Sequence, residues 1–153
     1  MWEKEFDNIT IHRDGFQFLE EVRKLNRAVF NEDRLINRLD HDPLIFLTAH
    51  CNGELAGFKI GYAHSPRIFY SAKGATSPLY RRCGIATKLL FEMMREASVL
   101  GFTELHYDTF PSIYPGMVVL GLRHGYRIKK IHWNNDYKDF QMKMSRSIKG
   151  TVR

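Results

Sequence analysis

Hydrophobic positions along the chain recur with two periods, and the switches between them divide it into elements. Residues 6–12 alternate apolar and polar side chains (Phe6, Asn8, Ile9, Thr10, Ile11) well enough to predict a short first strand. Over 15–30 apolar side chains return every three or four positions (Phe16, Leu19, Val22, Leu25, Val29), the spacing of one helix face, and Asp14 stands where an N-cap belongs. A second helical piece is predicted over 32–39, ended by Pro43, because the residue before a proline is pushed out of helical geometry. The apolar run 44–50 reads as a strand, Asn52-Gly53 as a type I′ hairpin turn, and 55–63 as the antiparallel partner. After the break at Ser65-Pro66 another strand covers 68–76. Helical spacing then returns over 82–100 (Ile85, Leu89, Leu90, Met93, Met94, Ala97), with Gly101 as the C′ residue. Residues 102–109 form the next strand, and the strand–helix–strand order predicts that it lies parallel to 68–76. Pro111 and Pro115 interrupt the chain before a short helix over 117–122 that stops at Gly125. Strands over 126–133 and 137–144 follow, joined by Asn134-Asn135-Asp136.

Composition narrows the class. A chain of 153 residues suits one domain, 1–153 with a core over about 6–144. No apolar run is long enough to span a bilayer, and Met1-Trp2-Glu3-Lys4-Glu5 lacks the basic-then-apolar order of a secretory leader. A cytoplasmic protein without a membrane partner is therefore expected. Cys51 and Cys83 have no metal-ligand spacing, so two free thiols are expected, with neither disulfide nor metal. The net charge of +6 points to an anionic partner. Beyond Arg81-Arg82, Lys129-Lys130 and the tail Arg146, Lys149, Arg153, the basic residues are scattered and carry no nucleic-acid-binding signature. The expected anion is a small molecule rather than nucleic acid.

Candidate chemistry concentrates in 77–90, SPLYRRCGIATKLL. Pro78 stops the preceding strand, Gly84 loosens the turn, and Arg81 and Arg82 stand where a helix begins and exposes unpaired N–H groups. Amides and guanidinium groups together make a phosphate site. Cys83 lies in this turn without a histidine base beside it and reads as a spectator thiol. Met93, Met94, Met142 and Met144 read as core fillers.

Arg81-x-x-Gly84-x-Ala86, with a strand before it and a helix after it, resembles the Q/R-x-x-G-x-G/A signature of GNAT-type N-acetyltransferases. The order of elements is similar to that family from about 6 to 144, including Gly125-Tyr126 where the family usually has Gly-Phe. The resemblance implies an α/β (α+β) fold: a mixed, mainly antiparallel sheet of about seven strands with helices on both faces and a splayed parallel pair forming an acyl-CoA notch. It implies acetyl-CoA as acyl donor. By position, Arg81, Arg82, Cys83, Gly84, Ile85, Ala86 and Thr87 would hold the pyrophosphate, and Gly74, Ala75 and Thr76 would line the pantetheine arm.

The catalytic positions depart from the family pattern. The family often protonates the departing thiolate with a tyrosine four residues before the Gly-Phe, and Gly121 stands there. An asparagine common at the start of that segment is missing too, with Tyr114 near its place in Phe110-Pro111-Ser112-Ile113-Tyr114-Pro115-Gly116. Where some relatives carry a glutamate on the strand before the signature, this chain has Tyr70 and Ser71. The candidates are therefore Tyr114 as acid and Asp108 as amine binder or base, with Tyr70 and Ser71 beside them. Strand alternation puts His106 with Asp108 and opposite Tyr107, so one set alone is expected to face the notch, and His106 is expected to be solvated or in the core.

The function this implies is transfer of an acetyl group to an amine of a small molecule or peptide by direct attack, with no acyl-enzyme. The alternative is a non-catalytic acyl-CoA-binding or sensor domain of the same fold. The last two strands leave an edge that a second copy can pair with, which would make a homodimer.

Overall fold

The structure, a computed structural model, describes residues 8–150. Seven strands form one sheet: β1 (Ile9–His12), β2 (Leu44–Cys51), β3 (Glu54–Ala63), β4 (Ile68–Thr76), β5 (Glu104–Thr109), β6 (Arg127–Asn134) and β7 (Asp139–Ser147). Positions 6 and 7, expected in the first strand, lie outside the described residues. The spatial order is β1-β2-β3-β4-β5-β7-β6, antiparallel throughout except for the β4–β5 pair. Three helices cover it: α1 (Leu19–Phe30), α2 (Ile85–Val99) and α3 (Pro115–Arg123). Asn52 and Gly53 both have positive φ, 53° and 82°, as a type I′ hairpin requires.

Period-2 alternation in the strands divides the core into two layers. Phe46, Phe58 and Ile60 face α1, packing with Val22, Leu25 and Leu35. The other face packs Ile45, Leu47, Phe69, Leu105 and Met144 against the buried stripe Ile85, Leu89, Leu90, Met93, Met94 and Ala97 of α2. On that face α2 lies close to β3: a Cβ at Gly57 would come 2.9 Å from Ile85 Cγ2, and one at Gly61 3.0 Å from Met93 Cε. Among the described residues no helix is long and apolar enough to cross a membrane, and Cys51 and Cys83 are buried and unbridged.

Three expected boundaries are corrected. The helix predicted over 15–30 opens as a 3-10 turn, Gly15–Phe18, whose cap is Asp14, accepting a hydrogen bond from Phe16 N at 3.2 Å. The helix predicted from Arg82 begins at Ile85, because Arg82 and Gly84 are left-handed (φ 64° and 78°) and no helical turn passes through them. The helical piece predicted over 32–39 does not form. Asn31 turns left-handed at the end of α1, and the side-chain amide of buried Asn26 donates to Glu32 O (2.8 Å) and Arg34 O (3.3 Å), carbonyls that a helix would use internally. The 31–42 segment is thus an irregular strap whose Leu35, Ile36 and Leu39 pack on the α1-side core.

Asn26→Ala removes both tethers and leaves two carbonyls without that donor. A loss of about 2 kcal/mol is expected in urea unfolding, from two hydrogen bonds of roughly 1 kcal/mol each. A loss below about 0.5 kcal/mol would mean that the strap is held by its apolar contacts alone.

Candidate active site

The site begins where the parallel pairing ends. β4 and β5 are in register over Ile68–Tyr70 and Glu104–His106, after which β4 continues to Thr76 and β5 to Thr109 without pairing. Their outer edges stay bonded, β4 to β3 and β5 to β7, so the opening has rigid banks. A cavity of about 520 Å³ fills it.

One end of the cavity is lined by small residues and a cation. Gly74, Ala75 and Thr76 of β4 line it together with Arg81, Ala86 and Leu89. No side chain caps the first turn of α2, so its amides remain available to a ligand. The remaining turn residues named from the motif stand differently. Ile85 is in the core, and the Cys83 thiol is buried and donates to Arg81 O at 3.4 Å. Arg82, Gly84 and Thr87 follow the same turn without lining the cavity.

The other end is aromatic with one acid at its floor. Tyr70 O–H donates to Asp108 Oδ2 at 2.7 Å, bridging the splayed strands. Burial first, and this bond to Asp108 second, hold the Tyr70 phenol far above its ordinary range, so it stays a donor. The second carboxylate oxygen, Asp108 Oδ1, is buried without a hydrogen-bond partner, and so is Thr109 Oγ1 on the next residue. Both residues line the cavity, and the unpartnered carboxylate oxygen of Asp108 marks a place for a polar ligand group. Tyr114 lines it as well, and burial raises its phenol, with Tyr137 and Glu32 adding to the effect. Ser112 N donates to Asp139 Oδ2 at 2.8 Å, which anchors the segment carrying Tyr114.

The four catalytic candidates, Tyr70, Ser71, Asp108 and Tyr114, all line the same cavity, and Tyr70 and Asp108 are in direct contact. His106 does not reach it: buried, its Nε2 lies 3.1 Å from Glu104 Oε1. The expectation that alternation admits either Asp108 or Tyr107 is corrected, since both line the cavity. Beyond the last paired residue the gap between β4 and β5 is open to both faces of β5. Gly121 also has an explanation. A Cβ there would fall 2.0 Å from the Tyr107 hydroxyl, which donates to Met117 O at 2.7 Å. Burial pushes that phenol up to about 12.

Sequence reasoning missed the strap residues Glu32 and Arg34, and Lys73, whose ammonium pairs with Glu32 and donates to Arg34 O at 3.0 Å. It also missed Lys59, although a lysine at an inward position between Phe58 and Ile60 is a visible irregularity. Among the described residues no group of three His, Cys, Asp or Glu side chains is placed to hold a metal ion.

The profile of the family described as "Acetyltransferase (GNAT) domain" matches residues 17–112. No curated protein matches the chain. Among solved structures, the ribosomal-protein-S18-alanine N-acetyltransferase from Escherichia coli superposes with a TM-score of 0.78 at 17% identity, covering 93% of this chain and 95% of its own. Ard1 from Thermoplasma volcanium gives 0.77 at 15%, covering 91% and 97%. A GNAT family acetyltransferase from Elizabethkingia anophelis, solved with acetyl-CoA bound, gives 0.75 at 19%, covering 92% and 99%.

Proposed function

The chain belongs to the GNAT acetyltransferase family, and on that premise we propose that it moves the acetyl group of acetyl-CoA to an amine of a small molecule or peptide by direct attack on the thioester. The observation that carries the reading is the polarity of this cavity. One end offers small residues, Arg81 and the uncapped start of α2, and the other offers a buried carboxylate oxygen with no partner. These residues fit the donor: Arg81 and the α2 amides suit a pyrophosphate, and Gly74 and Ala75 leave room for the arm alongside β4.

Asp108 Oδ1 accepts an N–H of the acceptor amine, orients its lone pair toward the donor and takes up the proton that the nitrogen loses as the amide forms, while Tyr70 fixes the carboxylate through Oδ2. Tyr114, a phenol that burial raises further above neutrality, supplies the proton that the departing thiolate takes. Ser71 lines the wall beside them. Tyr107 takes no part, since its hydroxyl is committed to Met117 O.

Isothermal titration with acetyl-CoA, followed by a thioester-release assay over a panel of amines, tests this. Micromolar binding and amine-dependent CoA release are expected. Absence of binding at sub-millimolar acetyl-CoA would sink the proposal. The second reading, a non-catalytic acyl-CoA sensor, is favoured by Gly121, where the family's usual acid is lacking. Binding without release across the panel would establish it.

A further inference from the structure

Lys59 is the residue that the fold accommodates at a cost and the proposed chemistry has not used. It lies on β3 between Phe58 and Ile60, which face α1, so its own side chain enters the opposite layer beneath α2. Only 6% of the residue is exposed. Its ammonium has no hydrogen bond and no ion pair among the described residues. The elements around it supply no counter-charge: β2 sets Leu47 opposite it, β4 sets Gly74 opposite it, and α2 meets its flanking glycines with Ile85, Leu89 and Met93. Burial alone pushes the amine down to about 8. A buried, unpaired lysine is among the most unfavourable groups a core can hold, and a purely structural position would favour an apolar residue of the same size.

The geometry shows where the amine is directed. Gly74 is the β4 residue paired with Lys59, and a Cβ built on it would stand 3.5 Å from Lys59 Cγ and 3.6 Å from Nζ. The lysine stem therefore lies across Gly74, on the strand that forms one bank of the notch, and Lys59 itself lines the cavity. In sequence along that bank, Gly74 stands between the Arg81 turn and the Tyr70–Asp108 pair. The other charged groups lining the cavity are Glu32, Arg34, Lys73, Arg81 and Asp108, and Glu32 and Lys73 are already engaged with one another.

We propose that Lys59 is a donor-binding residue whose Nζ bonds an amide carbonyl of the pantetheine arm of acetyl-CoA, so that its missing partner is supplied by the ligand. This rests on the acetyl-CoA reading above. A carbonyl, rather than a phosphate, suits a point midway along the bank, between the turn that suits the pyrophosphate and the acid that suits the amine. Without donor, the amine has no partner among the described residues. With donor, the amine regains a hydrogen bond to its charged form and its proton affinity rises.

The folded, donor-free amine titrates near 8 and the unfolded one near 10.4, so between those values the unfolded chain binds more protons and stability rises with pH. Below pH 8 the full penalty is present. Donor affinity runs the other way: it is level below pH 8 and falls above it, because the free amine must then take up a proton to make the bond.

Lys59→Met, an apolar replacement of similar length, is the test. Its donor-free Tm at pH 7 is expected to rise by roughly 5 °C, and its Kd for acetyl-CoA to weaken about tenfold. Titrations at pH 9 in buffers of different ionisation enthalpy should show wild-type binding taking up roughly 0.4 proton, the amount that a tenfold gain by the charged amine implies, and the variant taking up none. Competition by ADP, which carries a pyrophosphate without the pantetheine arm, should be equal in the two proteins. A variant that loses donor-free stability while binding acetyl-CoA as wild type does would make Lys59 structural and overturn the assignment. Equal weakening toward ADP would move the contact to the phosphates and overturn it as well. If wild type itself binds no acetyl-CoA, the proposed function falls and takes this assignment with it, whereas wild-type binding with an unchanged variant rejects the lysine alone.

Discussion

Gly121→Ala is expected to destabilise the protein by about 3 kcal/mol, and most of that loss should disappear in a Tyr107→Phe background. The added Cβ would sit 2.0 Å from the Tyr107 hydroxyl, 3.0 Å from Met144 Cε and 3.2 Å from Tyr107 Cζ. Both Tyr107 and Met144 are buried, so neither ring nor thioether has open space to retreat into. Overpacking of this kind costs about 1–3 kcal/mol, and displacing the phenol from Met117 O forfeits roughly 1 kcal/mol more. Tyr107→Phe alone should cost only that hydrogen bond, about 1 kcal/mol, and it removes the atom that clashes. Alanine at 121 then meets a ring carbon at 3.2 Å, a contact that small shifts relieve. Urea unfolding of the two single variants and the double variant measures the coupling, expected near 2 kcal/mol. Strictly additive losses would mean that Tyr107 is not what keeps position 121 a glycine. The same geometry predicts that grafting the family's usual tyrosine onto position 121 yields an unfolded protein rather than a faster enzyme.

That pair also shows which part of the molecule could be read in advance. Gly121 was legible as a departure from the family pattern, but its cause sits on β5, fourteen positions earlier in sequence, and no local pattern couples the two. Element order was legible because each strand and helix carries its own period: the Ile85–Ala97 stripe and the Asn52-Gly53 turn are local statements that packing then agreed with. The 31–42 strap was not, because 32–39 has helical spacing while the deciding contact is a side-chain amide, Asn26, one helix away. The end of the notch near Arg81 is nearly contiguous in sequence, 74–76 and 81–86, and could be named from a motif. The opposite end is assembled from the strap, β4, β5 and the 110–114 segment, plus Tyr137 beside β7. Asp108 and Tyr70 could be named there as separate candidates, yet their contact depends on the point where β4 and β5 stop pairing, which is a property of the sheet.

Asp108→Asn is expected to lower kcat/KM for the acceptor amine by about 100-fold, within the range for loss of a positioned acid–base group, while leaving the Kd for acetyl-CoA within twofold of wild type. Asparagine keeps the shape and can still accept from Tyr70 O–H through its carbonyl, so the bridge across the splay survives. What disappears is the charge and the acceptor capacity of the second oxygen, which then becomes an amide that can only donate. A donor aimed at the place of an incoming N–H group repels it, and leaving such a group unpaired costs about 1–3 kcal/mol, which is of the size that a 100-fold loss requires. Stability should not fall, since Oδ1 is buried without a partner and gains nothing from its charge in the free protein. Tyr70→Phe provides the contrast. It frees Oδ2 and keeps the carboxylate, which loses its fixed orientation, so the expected loss is nearer tenfold. Initial rates at saturating acetyl-CoA, with the amine varied, separate the two variants. A change of less than threefold for Asp108→Asn, with acetyl-CoA binding intact, would remove Asp108 from the acceptor site and leave its unpaired oxygen without a role in catalysis.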